Sequence, residues 1–153
     1  ALVNAITRQE SNFELGAVSS ANARGPMQLL PSTAQNVARR LGIPHQTAML
    51  TTDAAHNMRL GAAYINDMLA RYGGAMPLAA AAYNAGPGRV DEWLGTYGDP
   101  RANGVDVRDW IEQIPFTETR NYVQRVIENV VVYRARNPTT ADLPHPLSQL
   151  LRR

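Results

Sequence analysis

The chain has 153 residues, 44% of them hydrophobic and 18% charged, which describes one ordinary globular domain and excludes a disordered segment. It contains no cysteine, so disulfides, thiolate nucleophiles and cysteine-based metal sites are excluded. The net charge is only +2, all fifteen basic residues are arginine, and no basic block exceeds Arg39-Arg40 or Arg152-Arg153, a pattern that argues against nucleic-acid binding.

No apolar run approaches the roughly 18 residues that cross a bilayer. The 153 residues contain no signal peptide, and "ALVNAITRQE" is helical in pattern from the start. That abrupt start suggests a piece of a longer protein, with any export signal and a further domain upstream.

In chain order, Ala1 to about Glu10 carries Leu2, Val3 and Ile6 on a short helical face. A loop rich in Ser, Asn and Gly follows and ends in "ARGPMQLLPS", with at most a small β element near Met27 to Leu30. Ser32 with Gln35 matches a capping box, opening a helix that stops at Gly42 and presents Val37 and Leu41 on one face. From about Asp53 to Tyr72, the residues Ala54, Met58, Gly61, Ala62, Ile65 and Leu69 follow the spacing of a core-facing stripe. "PLAAAAYNAGPG" predicts a central helix of small residues, broken by Gly86, Pro87 and Gly88, and a further helix covers Arg89 to about Tyr97.

"GDPRANG" is a polar loop, and a short segment from Val107 to Ile114 ends at Pro115. Thr117 caps the last long helix, with Val123, Val126, Ile127, Val130 and Val131 inward and Pro138 at its limit. The tail, with Pro144 and Pro146, is a packed or frayed strap. The expected fold is all-α, with residues 1–136 forming the working domain and 137–153 a C-terminal tail.

Four polar clusters fall at helix ends or turns: Glu10-Ser11, "GPMQLLP", "AYNAG" and "PFTETRNY". Each has an unremarkable reading when taken singly. Glu10 could be a solvated helix-end carboxylate, Gln28 a strand-edge residue, and Tyr83 and Asn84 the satisfiers of a helix C-terminus. Glu118 sits in a first turn, where a carboxylate suits the helix dipole.

In this order and spacing, however, the four clusters resemble the catalytic domain of lytic transglycosylases, the soluble-transglycosylase and goose-lysozyme-like class of glycoside hydrolase family 23. The resemblance covers Ala1 to Arg136. It implies a lysozyme-like, mainly helical fold and peptidoglycan glycan strands as the partner, cut at the β-1,4 bond between N-acetylmuramic acid and N-acetylglucosamine. It also implies a periplasmic or cell-envelope location, no cofactor and no metal.

By that resemblance Glu10 is the single catalytic acid and base. A general acid working near neutral pH needs a carboxyl raised above the about 4.3 of free glutamate. Burial and the negative end of a helix both push in that direction. Most glycosidases set two acids about 5 to 9.5 Å apart; here the family chemistry uses the substrate's acetamido carbonyl in place of the second.

The resemblance further implies substrate-binding roles for Ser19, Gln28, Tyr83, Asn84, Glu118 and Tyr122. Ser19 would meet the acetamido group, with Ser20 adjacent in the alignment. Gln28 would offer an amide to sugar hydroxyls. Tyr83 would support the charged intermediate and Asn84 its wall, while Glu118 orients substrate and Tyr122 lines the cleft. Leu30 departs from the family's usual Met, a swap that nearly conserves volume. Two alternatives accompany this expectation: a lysozyme-like muramidase in which water attacks C1, and a non-catalytic peptidoglycan-binding module, which would not need Glu10. His45, His56 and His145 lack metal-ligand spacing.

Overall fold

Leu2, Ala5 and Ile6 recur at the three- and four-residue intervals that align side chains along a helix, and all three are buried on α1 (Leu2–Ser11). The computed structural model describes residues 1–102 and 104–151. Asn103 of the polar loop and the last two arginines of the tail lie outside the described residues. The chain divides into two compact units, one of Val3–Asn66 and one of Ala1–Leu2 with the residues from Asp67 onward.

In the first unit, α1 leads through a long loop into α2 (Pro31–Leu41), which packs on a 3-10 turn at Thr47–Thr51. Pro31 is the first helical residue and extended Leu30 occupies the cap position without a side-chain bond. Ser32 therefore lies inside the first turn, and the expected capping box does not form. The cause is proline, whose fixed φ is already helical and starts the helix two residues early. Gly42 closes α2 as expected, at φ +67°, with its N–H directed to the carbonyls of Ala38 and Arg39. Ala34, Val37 and Ala38 form the buried face, whereas Leu41 is exposed, a correction to the predicted pairing.

Helix α3 (Ala54–Arg71) starts and stops within a residue of expectation, but its buried stripe is displaced. Asn57, Leu60, Gly61 and Ile65 are buried, Ala54 is exposed, and Met58 and Ala62 are only partly covered. Hydrophobic periodicity misplaced the stripe because one of its members is the polar Asn57. A Cβ on Gly61 would lie 2.3 Å from the Met27 sulfur, so the missing side chain is what lets Met27 in. The loop before α2 holds isolated antiparallel bridges, Val18 to Arg24 and Arg24 to Leu29. The small β element is thus present and reaches further back than Met27.

In the second unit, α4 (Met76–Ala85) packs against α5 (Pro87–Tyr97) and α7 (Thr117–Arg136), and α7 also contacts α6 (Val107–Glu112). Leu78 and the four alanines Ala79 to Ala82 are fully buried, as a central helix of small residues requires. Short side chains let its neighbours approach closely. Gly86, at φ +94°, ends α4 and precedes α5. Pro87 is the first residue of α5, not a breaker, again because proline suits that position.

Thr117 is likewise the first residue of α7, with extended Phe116 at the cap position and no side-chain cap. Val123, Val126, Ile127 and Val130 are buried, but Val131 is exposed. At 100° per residue Val131 lies about 80° round from Val123, at the edge of the stripe. The tail packs: the Thr140 hydroxyl donates to the Arg134 carbonyl (3.0 Å), Arg134 donates to the Pro144 carbonyl (2.8 Å), and Leu150 of α8 (Ser148–Leu151) is buried.

Candidate active site

Glu10 is the penultimate residue of α1 and is half-buried. The next residue ties the helix end to the loop ahead, since the Ser11 hydroxyl donates to the Pro26 carbonyl at 2.7 Å. Asn12 and Phe13 then turn the chain with φ of +52° and +65°, a conformation that bulky L-residues seldom adopt.

Gln28 also has a positive φ, +50°, and both hydrogens of its amide are engaged. Its Nε2 donates to the Ala17 carbonyl (3.1 Å) and to the Gly25 carbonyl (3.0 Å). The amide is therefore a brace for its own loop. Of the donor and acceptor functions expected from sequence, only the acceptor, Oε1, remains for a ligand. Ser19 is exposed, and its oxygen accepts from the Ala23 N–H (3.0 Å), which leaves the hydroxyl hydrogen to donate outward.

The second unit holds the remaining candidates on α4 and α7, two helices in contact. Asn84 sits inside α4, and its Oδ1 accepts from the hydroxyl of buried Thr119 at 2.7 Å. The helix-end position open to Asn84 goes instead to Gly86, at positive φ but outside the left-handed helical conformation. Tyr83 is half-buried on α4 and Glu118 is exposed in the first turn of α7. Tyr122 is only 5% exposed, so it contributes to packing and presents little surface to a ligand.

Two residues that support these candidates were not singled out from the sequence. Thr119 fixes the Asn84 amide, and its only clue is its place between Glu118 and Tyr122. Asn57 is wholly buried and binds three backbone groups: it accepts from Met27 N–H (2.9 Å) and donates to the carbonyls of Arg24 and Leu50 (3.0 Å each). A polar residue at core spacing, four positions before Gly61, was the available hint. Among the described residues, no three His, Asp or Glu side chains gather as a metal-binding group, and no helix is long and apolar enough to cross a membrane.

Residues 1–104 match the family model described as the transglycosylase SLT domain. The chain belongs to the transglycosylase SLT family. A second model, the soluble lytic transglycosylase helical domain, matches residues 113–137. Among SLT-type relatives, the soluble lytic murein transglycosylase of Escherichia coli K12 is 37% identical over 131 residues, covering 85% of this chain and 20% of the relative. The membrane-bound lytic murein transglycosylase D of the same organism is 34% identical, covering 87% of this chain and 29% of the relative.

Solved structures agree on the fold. An inactive mutant of lytic transglycosylase Slt from Pseudomonas aeruginosa superposes with a TM-score of 0.83 at 43% identity, over 94% of this chain and 22% of that one. The 70 kDa soluble lytic transglycosylase of E. coli gives 0.82 at 34% identity, over 98% and 23%. The all-α, lysozyme-like expectation therefore stands. The chain spans less than a third of the SLT relatives it matches.

Proposed function

We propose that the chain is a peptidoglycan lytic transglycosylase domain, cleaving the β-1,4 bond between N-acetylmuramic acid and N-acetylglucosamine without consuming water. The observation that carries this reading is the SLT family match over residues 1–104, which includes Glu10. The relatives' names as murein transglycosylases support the substrate, and the substrate supports a periplasmic or cell-envelope location.

Glu10 acts twice. Its carboxyl gives a proton to the glycosidic oxygen as the C1–O bond breaks, and the muramic acetamido carbonyl stabilises C1. The Glu10 carboxylate then takes the proton of the C6 hydroxyl as O6 bonds to C1, which leaves a 1,6-anhydro end. The C-terminal end of α1 disfavours a charged carboxylate, which suits a group that must begin neutral. Ser19 donates its outward hydrogen to substrate, Gln28 accepts through Oε1, Tyr83, Asn84 and Glu118 contribute binding surface, and buried Tyr122 supports them by packing.

The test is Glu10→Gln, which keeps the shape and removes the transferable proton. Release of soluble fragments from purified peptidoglycan should vanish while circular dichroism and melting stay those of the parent. Near-normal release by the variant would remove Glu10 from the role. An inactive parent chain would defeat the reading as a whole.

A further inference from the structure

The loop from Arg24 to Gln28 is clamped with unusual completeness. Asn57, at 0% exposure, spends its amide on the Met27 N–H and on the carbonyls of Arg24 and Leu50, the first of which also accepts from the Leu29 N–H (3.0 Å). The space around the clamp is closed: a Cβ on Gly25 would lie 2.0 Å from the Leu50 carbonyl oxygen and 2.2 Å from the Asn57 Nδ2. Gly25 also has φ +76°, so a side chain is disfavoured there twice over. Pro26, between the two clamped residues, receives the Ser11 hydroxyl from the end of α1. Gln28 follows Met27 directly and braces the same loop through Ala17 and Gly25.

We propose that Asn57 is a positioning residue for the cleavage reaction, holding the Gln28 loop in register with the Glu10 end of α1, with Ser11 as the tie on the other side. Asn57 acts through the loop backbone and touches no substrate. The proposal rests on the reading of Glu10 and Gln28 given above. The chemistry of the clamp singles out an asparagine. An aspartate keeps the acceptor for Met27 N–H but turns a carboxylate oxygen toward two carbonyls. An alanine removes all three bonds, while the Arg24 carbonyl keeps only the Leu29 N–H (3.0 Å) among its backbone donors. Because a displacement of an ångström between acid and substrate contact is costly in rate, the loss should fall on turnover per folded molecule.

The experiment uses the full chain with Asn57→Asp, Asn57→Ala, Ser11→Ala and Ser11→Thr. Glu10→Gln serves as the inactive reference, and Val37→Ala, a buried change on α2, as the stability control. Fragment release from peptidoglycan is measured per folded molecule against substrate concentration, alongside hydrogen exchange of the Met27 amide. The Asn57 variants should lose about 10²-fold in kcat with a much smaller change in KM. Their Met27 amide should exchange faster, while Val37→Ala keeps parental turnover at a similar loss of melting temperature.

Where the Asn57 variants do not fold, Ser11→Ala reads the same loop. Its kcat should fall about tenfold and be restored by Ser11→Thr, which retains the hydroxyl. A folded Asn57 variant with kcat within about threefold of the parent overturns the proposal, as does unchanged Met27 protection or an unaffected Ser11→Ala. Parent activity no greater than that of Glu10→Gln instead sinks the transglycosylase reading, and the positioning role falls with it.

Discussion

At Gly61 a hydrogen stands where any other residue would collide with the Met27 side chain, 2.3 Å from its sulfur. Gly61→Ala should therefore destabilise the chain by about 1–3 kcal/mol, the usual cost of overpacking, read as a lower urea midpoint. The Met27 thioether can swing aside, but its Cβ would lie 2.8 Å from the added carbon and cannot, so the backbone must shift as well.

Tyr72 offers a second residue-scale test. Burial, and then the hydrogen bond to Asp91 (2.9 Å), push its phenol up from 10.0 to about 12. Below pH 10.0 the phenol is neutral in both folded and unfolded chains and contributes no pH dependence. Above that value the unfolded chain ionises first, so stability falls as pH rises from 10.0 toward about 12. Denaturation series over that range should show the slope, and Tyr72→Phe should reduce it.

At the scale of elements, the helix starts make a sharp prediction. Ser32 is not the cap of α2, so Ser32→Ala should change stability by less than about 0.5 kcal/mol, against about 1 kcal/mol for a true cap. Gly42, by contrast, holds the left-handed end of α2 at φ +67°, and Gly42→Ala should cost about 1 kcal/mol. Urea midpoints of the two variants, measured together, decide the boundary.

The same helices show what could be read in advance. Existence, order and approximate ends of the principal α-helices follow from periodicity and from Gly and Pro. Helices α2 and α5 begin two residues before the expected starts, at Pro31 and Pro87, because a residue that cannot continue a helix is equally suited to begin one. The α3 stripe was displaced for a different reason. Asn57 is buried for its backbone partners, and those partners lie in a loop and a 3-10 turn whose proximity no local pattern encodes. Glu10, Gln28 and Asn84 are candidates only as members of an ordered set of motifs. Their braces, Ser11 to Pro26 and Thr119 to Asn84, are tertiary contacts and needed coordinates.

For the whole molecule, pH links stability to a pair of stacked imidazoles. His45 and His56 lie with ring centroids 5.1 Å apart and share a contact of 2.8 Å between Nδ1 and Nε2. Burial, and then the neighbouring His56, hold His45 below its ordinary 6.5. Above 6.5 the His45 ring is neutral in both states; as pH falls through 6.5 the unfolded chain takes up a proton first, so stability declines. Melting temperature should drop on mild acidification below neutrality, and His45→Gln should flatten that dependence.

In the proposed reaction one carboxyl both gives and regains a proton, so that no water enters the product. The most direct measurement is the mass of fragments released from purified peptidoglycan by the parent chain, with Glu10→Gln as the blank. Anhydro-muramyl ends, lighter than hydrolytic ends by one water, are the expected result. Fragments carrying ordinary reducing ends would contradict it and assign the chemistry to attack by solvent.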